Sequence, residues 1–449
     1  MILLTTHVLD KPDTDEFRGH RTDVFSRSLS SRQLALPIND AFLRQVDGDR
    51  AAGLSPTSVA LLRCLVTPLS SSGTSNVARA FLRSRPTALR AFMTKTNRKP
   101  ANDTTPLVHG GATLPSVVID DYNNEARDRK GFIGDGANKK SFRDKVDQQR
   151  KLLRELARDP FGKVATKELK KKDIDALLCG EDAEAAAMIF GAVEEFSRDF
   201  TGVIRKFLNE KSWKKTERIA VGGGFRQRRV GELVIARTMM LLRGDGVEIE
   251  LVPIAHHPDD AGLIGSVHLM PEWMLKGHDA ILAVDIGGTN VRAGVVRFGK
   301  DKRSTSKDAA VAASLIWKHA EENPSRTATV AKLSEMLEEL VTKATEAELN
   351  LAPLIGIGCP GVIEADGAIV RGGQNLPGGN WESDHFNLPA ALVKSIPKIN
   401  EGETFVMMHN DGVVQGLSQI PLMTDVSSWA ILTIGTGLGN AHFTNRSQP

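Results

Sequence analysis

Cysteine is scarce in this sequence. Its 449 residues include three cysteines, Cys64, Cys179 and Cys359, and none of them belongs to a CxxC pair. This spacing supports neither a disulfide framework nor a zinc ribbon. Isolated thiols fit a reducing compartment, so we expect a cytoplasmic protein.

Long apolar runs are missing as well. No segment has the length that a membrane-spanning helix needs, and the first residues, MILLTTHVLDKPDTDEF, lack the basic start and the apolar stretch of a secretory signal. The charges nearly cancel, with 58 Lys and Arg against 55 Asp and Glu and a net charge of +3. That balance does not by itself indicate a nucleic-acid partner. We therefore expect neither a membrane nor a nucleic acid among the partners.

Acidic residues are absent between residues 51 and 102, where eight arginines and lysines occur. Segments rich in Ser, Thr and Arg bury too little apolar surface to fold alone, so we interpret residues 1–105 as a poorly ordered basic extension. A basic arm that contacts nucleic acid or a membrane surface is the alternative. The stretch LSPTSVALLRCLVTP could form one helix, but no convincing recognition helix follows it.

Strand and helix patterns alternate from residue 107 onward, which predicts the α/β class. Buried strands end in glycine clusters at residues 222–224, 287–288, 356–361 and 435–439. Glycine lets backbone N–H groups approach an anion closely, although it is also an ordinary turn residue. Four clusters at strand ends favour a nucleotide held between two lobes.

Two common nucleotide motifs are poorly matched. GDGANKKS, residues 134–141, resembles a Walker A loop except that Lys139 replaces its second glycine. The glycines of GIGCPG have the GxGxxG spacing of a dinucleotide fingerprint, but Pro360 interrupts them and no acid follows at the required distance. A pair of facing glycine hairpins is the better interpretation.

Phosphoryl transfer needs little beyond phosphate-binding loops, a metal ion and a base that orients the attacking hydroxyl. In DIGGTN, the glycines and Thr289 can donate to phosphate oxygens while Asp285 holds a hydrated Mg²⁺. In IGTGLG, Thr436 can donate in the same way from the other lobe. Asp411, in HNDGVVQG between a strand and a helix, is the candidate base. The alternatives are that Asp411 caps its helix and that Asp285 satisfies turn amides.

Taken together, DIGGTN, GIGCPGVIEADGAIVRGGQNLPGGNW, HNDGVVQGLS and IGTGLG resemble the ROK family of bacterial sugar kinases and sugar-responsive repressors. IAVGGGF with DDAGLIGSVHL is similar to that family's adenosine-binding motif and final helix. The matches span roughly residues 215–449. The resemblance implies the two-lobed, ribonuclease-H-like fold of sugar kinases, actin and heat-shock chaperone ATPases. It also implies ATP and Mg²⁺ as cofactors and a homodimer as the usual assembly.

The same resemblance assigns roles to residues. Asp411 would be the general base, and Asp285 would associate indirectly with Mg²⁺. The sugar-binding residues would be Asn375, Asn410 and Gly361. ATP would contact three glycine loops and the acid before one of them: Gly222, Gly223, Gly224, Asp285, Gly287, Gly288, Thr289, Gly435, Thr436 and Gly437.

The order of these motifs differs from the family's order. In the family, the first phosphate loop opens the chain and the adenosine motif closes it, whereas here the adenosine motif, at residues 219–266, comes first. We interpret this order as a circular permutation. The predicted division is a large lobe over residues 106–275, a small lobe over 276–400 and the remainder of the large lobe over 401–449.

Two family features are missing between residues 107 and 215, namely the E-x-G-H element that helps to grip the sugar and the cysteine-rich zinc motif. We therefore expect no zinc, and the identity of the sugar stays open. The leading hypothesis is an ATP-dependent kinase of a hexose or similar sugar, glucokinase-like in type. A sugar- or nucleotide-responsive regulator without significant kinase activity is the alternative, and a sugar-independent ATPase of the same fold is a third.

Overall fold

The structure is a computed structural model that describes residues 107–129, 131–155, 158–224, 228–298, 308–374 and 376–446. The hypotheses about residues 1–105, both the basic extension and its candidate helix, lie outside these ranges. None of the helices within the ranges is long and apolar enough to cross a membrane.

Strands and helices alternate along the described residues, as the sequence predicts. The strands are β1 Val117–Tyr122, β2 Arg127–Asp128, β3 Gly131–Phe132, β4 Arg218–Gly222, β5 Glu250–Pro253, β6 Ala280–Ile286, β7 Val291–Arg297, β8 Ala310–Trp317, β9 Leu351–Cys359, β10 Val362–Ile363, β11 Ile369–Arg371, β12 Lys398–Ile399, β13 Gly402–Glu403, β14 Phe405–Asn410, β15 Ser428–Ile434 and β16 Leu438–Asn445. The helices are α1 Lys139–Glu155, α2 Lys171–Leu178, α3 Ala183–Asn209, α4 Arg229–Gly244, α5 Pro258–Gly265, α6 Glu272–Leu275, α7 His319–Glu322, α8 Arg326–Glu346, α9 Leu388–Ser395 and α10 Asp411–Leu417.

Two five-stranded sheets share one topology. In the second sheet, ordered β14-β9-β6-β7-β8, the pairs β6–β7 and β7–β8 are antiparallel, whereas β6–β9 and β9–β14 are parallel. The first sheet, ordered β1-β16-β15-β4-β5, repeats this pattern around the β15–β16 hairpin. The predicted α/β class is confirmed, and so are the two predicted glycine-tipped hairpins, β6–β7 and β15–β16.

The two sheets differ in the chain order of their strands. In the second sheet, the hairpin β6–β7 comes first and β8, β9 and β14 follow. In the first sheet, β1 comes first along the chain, although it occupies the place beside the hairpin strand β16. The sheet is complete nonetheless, because β1 pairs with β16 from Val117↔Asn445 to Tyr122↔Ala441.

The position of β14 does not follow the predicted division of the chain. That division places residues 401–449, and therefore β14, in the large lobe with the second phosphate loop. β14 pairs in parallel with β9 and so belongs to the second sheet. Its residues Val406, Met407 and Met408 are buried there. The chain crosses to the first sheet only afterwards, because α10 packs against β15 and β16.

The central strands are mostly apolar because both of their faces are covered. In β6, Ile281 and Ala283 belong to the core between the two sheets, while Leu282 and Val284 belong to the core on the far side of the second sheet. A third core lies between the first sheet and helices α1, α3 and α4. The three cores cover the faces of the two sheets. The glycine loops at the strand ends therefore lie outside the cores.

Helices α5 and α10 lie between the sheets and touch each other. Each follows an edge strand, α5 after β5 of the first sheet and α10 after β14 of the second. The contact is so close that a Cβ on Gly265 would lie 1.7 Å from the Val414 carbonyl oxygen. A glycine is therefore required where these two backbones meet.

Candidate active site

Three parallel strands of the second sheet end side by side. β9 lies between β6 and β14, and the register pairs Asp285 with Gly358 and Asn410 with Cys359. Because parallel strands present their carboxyl ends at one edge of a sheet, the end of β6 and the residue after β14 come to the same edge. The structure thus brings together Asp285 and Asp411, the two acids that the sequence singled out.

Asp411 is the first residue of α10 and is half-buried. Burial raises the pKa of Asp411 to about 7, and the nearby Asp285 carboxylate acts in the same direction. A carboxyl group with a pKa close to the working pH is suited to general base catalysis. Burial also raises the pKa of the Cys359 thiol, and both carboxylates contribute to that shift.

Asn410 caps the helix that begins with Asp411. Its Oδ1 accepts hydrogen bonds from the N–H groups of Gly412 at 2.9 Å and Val413 at 3.3 Å. Its Nδ2 donates to the carbonyl oxygen of Gly361 at 3.0 Å. Both ends of the amide are thus used to join the Gly361 loop to the helix. The sugar contacts predicted for Asn410 and Gly361 stay predictions.

The third predicted sugar contact, Asn375, lies outside the described residues. The loop around it is fixed on both sides. Before it, a Cβ on Gly372 would lie 2.8 Å from the α-carbon of Gly361. After it, the buried Trp381 donates from Nε1 to the Pro377 carbonyl oxygen at 2.6 Å. The loop therefore adjoins the strand end that carries Asp411.

The β6–β7 hairpin presents the first predicted phosphate loop. The Gly287 N–H donates to the Asn290 carbonyl oxygen at 2.9 Å, and the Gly287 carbonyl oxygen lies 2.8 Å from Nε2 of His319. Gly288 and Thr289, at the tip, are exposed. The tip can therefore present backbone N–H groups and one hydroxyl to an anion.

Asp285, at the base of this hairpin, is buried against a cation. Arg292 Nη1 lies 3.4 Å from Asp285 Oδ2, and Nη2 of the same guanidinium lies 2.6 Å from Oδ1 of Asp259 on α5. Burial raises the pKa of Asp285, Arg292 opposes that shift and Asp259 adds to it. The motifs in the sequence do not assign a role to either partner. The available signal was the hairpin register, which places Arg292 opposite Asp285.

The first sheet presents the other two glycine loops at one edge. β4 and β15 are parallel, and the register pairs Gly222 with Thr433, so loops 222–224 and 435–437 are neighbours. Gly223 has a φ of 83°, and a Cβ there would lie 2.5 Å from the Ile434 carbonyl oxygen. Thr436 and Gly437, at the tip of the β15–β16 hairpin, are exposed like the tip of the first hairpin.

Contacts between the two sheets bring residues of their two sites close together. A Cβ on Gly412, the residue after the candidate base, would lie 3.5 Å from the Asn440 nitrogen on β16. The Lys139 N–H donates to the Gly435 carbonyl oxygen at 2.9 Å. Burial lowers the pKa of Lys139, and nearby cations, Arg292 among them, lower it further. The base, the second hairpin and the cation beside Asp285 therefore share a neighbourhood.

A magnesium ion fits these residues if it arrives with a phosphorylated ligand. Phosphoryl-transfer sites hold Mg²⁺ by one or two carboxylates together with phosphate oxygens and waters. Asp285 and Asp411 supply two such carboxylates at one strand edge. Within the described ranges, no group of three or more His, Cys, Asp or Glu residues could hold a metal ion.

Comparison with known proteins gives low similarities. No protein-family model and no curated protein matches the chain. Among solved structures, a ROK family glucokinase from Streptomyces griseus, determined with glucose and AMPPNP, is 19% identical, with a TM-score of 0.27 over 37% of this chain and 46% of that chain. The ROK hexokinase from Thermus thermophilus is 21% identical, with a TM-score of 0.26 over 36% and 45% of the two chains.

Another solved structure with a match is an exopolyphosphatase-like protein, which is 16% identical with a TM-score of 0.23 over 56% of this chain and 87% of that chain. The matched region spans about half the length of the sugar kinases, from 45% to 48%. Similarity of this size does not establish an activity or a substrate.

Proposed function

We propose that this chain is an ATP-dependent sugar kinase in which Asp411 is the general base. The observation that carries the proposal is the position of Asp411, a half-buried carboxyl group whose pKa burial raises to about 7. Asp285 lies near the end of β6, at the same edge of the sheet, and a glycine hairpin extends from each sheet nearby. In the proposed kinase, Asp411 would be the base, Asp285 an anionic partner for a metal ion and the hairpins two phosphate-binding loops.

The proposed reaction transfers one phosphoryl group. A sugar hydroxyl oxygen attacks the γ-phosphorus of ATP, the bond from that phosphorus to the β–γ bridging oxygen breaks, and the hydroxyl proton passes to Asp411. The exposed tips at Gly288, Thr289 and Thr436 would donate to phosphate oxygens. Mg²⁺, held by Asp285 and the phosphates, would neutralise part of the charge. The products are a sugar phosphate and ADP.

We also propose that the chain has the actin-like ATPase fold of sugar kinases in circularly permuted form, related to the ROK family. The repeated topology of the two sheets supports this proposal. So does the place of β1, which pairs with β16 but comes first along the chain rather than after it. Joining the end of β16 to the start of β1 and opening the chain before β6 would give both sheets the same strand order. We further propose that the protein is cytoplasmic and forms a homodimer.

The test is ADP release from Mg-ATP across a panel of hexoses and amino sugars. Release that depends on one class of sugar would support the kinase and identify the acceptor. Equal release with and without sugar would favour an ATPase. Protein that binds ATP and a sugar but releases no ADP would favour the regulator.

The raised pKa of Asp411 predicts a pH dependence. A base acts as the carboxylate, which is the minor form below the pKa, so kcat/KM should fall about tenfold per pH unit below about 7 and level off above it. An aspartate with an unshifted pKa would give a flat profile down to about pH 5. A flat profile in a sugar-dependent assay would contradict the assignment of Asp411 as a base in a desolvated site.

A further inference from the structure

A cavity beside the second hairpin has an apolar wall and four cations. The cations are Lys139 and Arg143 on α1, Lys171 at the start of α2 and Arg228 immediately before α4. We refer to these four residues as the cation cluster. The rest of the lining consists of one acid, Asp175, and the apolar residues Phe142, Leu169, Ile174 and Val230.

The cation cluster has no carboxylate partner among the described residues. Asp175, which lines the cavity, and Asp259, whose charge acts on Lys171, both have other hydrogen-bond or ion-pair partners. Asp175 accepts from the N–H groups of Arg229 at 3.2 Å and Val230 at 3.1 Å, at the start of α4. Asp259 is bound to Arg292, with its Oδ1 2.6 Å from Nη2.

A second, adjoining cavity shares Lys139 and Arg143 with the first and contains two acids, which also have partners. Asp144 pairs with Lys140 at 2.7 Å, and Asp147 accepts from the hydroxyl of Thr166 at 2.7 Å. Among the residues that line the first cavity, four cations therefore face one carboxylate, that of Asp175, and positive charge is in excess.

This arrangement costs the folded chain free energy when no ligand is present. Burial lowers the pKa of Lys171 to about 8, and repulsion from Lys139, Arg228 and Arg143 adds to the effect, while Asp259 opposes it. The pKa of Lys139 is also lowered, first by burial and then by Arg143 and Arg292. Like charges held together in a cleft at such a cost are characteristic of a site for an oppositely charged ligand.

The cation cluster lies between the two glycine loops of the first sheet. The Lys139 N–H donates to the carbonyl oxygen of Gly435, in the second hairpin, at 2.9 Å. Lys171 Nζ donates to the carbonyl oxygen of Gly224, after β4. Lys139 and Arg143 also line the adjoining cavity, together with Thr436. An anion in the cluster would therefore touch both loops.

We propose that the cation cluster binds the phosphate chain of the donor nucleotide. This inference rests on the proposed function, in which ATP is the donor. It adds that donor affinity comes from side-chain charges as well as from glycine N–H groups. Charge-assisted hydrogen bonds to phosphate are stronger than neutral ones, so the cluster should supply a large share of the affinity.

The test measures binding by titration calorimetry without any acceptor. The ligands are ATP, inorganic tripolyphosphate and adenosine, and the variants are Lys139→Met, Lys171→Met and the double variant. Each single change should weaken ATP and tripolyphosphate binding about tenfold and the double change about a hundredfold. Adenosine has no phosphate and should bind all variants equally. Lys332→Met removes an exposed cation of α8 paired with Glu335 and should change nothing.

Thermal unfolding separates a binding role from a structural one. Lys139 has no side-chain hydrogen bond or ion pair within the described ranges, so Lys139→Met relieves repulsion and should raise Tm without ligand. ATP affinity within twofold of the original in the double variant would overturn the inference, and so would an equal loss of adenosine binding. If the double variant loses ATP binding but no sugar is ever phosphorylated, the inference stands and the kinase proposal fails.

Discussion

Asp411→Asn should lower sugar-dependent turnover by roughly 10²- to 10⁴-fold, the range for loss of a general base. The amide has the size of the carboxylate but cannot take the proton of the acceptor hydroxyl. Because the glycine hairpins and the cation cluster are unchanged, the affinity for ATP should stay close to its original value. The measurement is kcat from ADP release together with the Kd of ATP.

Two controls show that such a loss comes from the chemistry. Burial raises the pKa of Asp411, so its contribution to stability is lost as the pH rises through about 7. Asp411→Asn should therefore raise Tm at pH 8 and leave it unchanged near pH 4, which also shows that the variant folds.

The second control is Asp245→Asn, which changes a surface carboxylate paired with Arg205 and should keep full activity. More than a tenth of the original turnover in Asp411→Asn would exclude Asp411 as the base.

Gly265→Ala should destabilise the fold strongly, because among the described glycines an added Cβ makes its closest contact at Gly265. The new Cβ would lie 1.7 Å from the Val414 carbonyl oxygen, so α5 and α10 must move apart. The cost of such overpacking between two backbones is about 3 kcal/mol, which is more than a hundredfold in the folding equilibrium. The measurement is the free energy of unfolding from urea denaturation.

Gly202→Ala is the matched control for this prediction. Gly202 lies inside α3, and a Cβ there would meet no atom within 4 Å. An alanine in a helix interior is preferred over glycine by roughly 0.5–1 kcal/mol, so this variant should be slightly more stable. A loss of less than about 1 kcal/mol in the free energy of unfolding of Gly265→Ala would show that the close contact between α5 and α10 does not constrain the fold.

The hairpins could be predicted from local pattern alone. ILAVDIGGTNVRAGVV contains two apolar runs of strand length around a polar, glycine-containing tip, and the structure folds it as β6 and β7. The sheet that β14 joins could not be predicted in this way. Its sequence, FVMMHN, identifies a buried strand, but a parallel partner is chosen by tertiary packing, and here that partner is β9.

Some site residues can likewise be recognised from the sequence, whereas others are brought together only by the fold. Asp285 and Asp411 stand beside glycine-containing turns, so the sequence alone marks them. The cation cluster combines the starts of three helices that are far apart in the chain, and only the fold shows that they meet. The amide of Asn410 caps α10 and binds the Gly361 carbonyl oxygen, contacts that depend on backbone geometry and that the sequence does not reveal. Its sugar contact stays a prediction.

Phosphorus NMR of the reaction products would test the central claim most directly. The chain would be incubated with Mg-ATP and each sugar of the panel, beside Asp411→Asn. With one class of sugar, we expect a sugar phosphate resonance that grows as ATP is consumed and that is absent with the variant. Inorganic phosphate as the only new product, or no consumption of ATP by protein that binds it, would contradict the claim that this site transfers phosphate to a sugar.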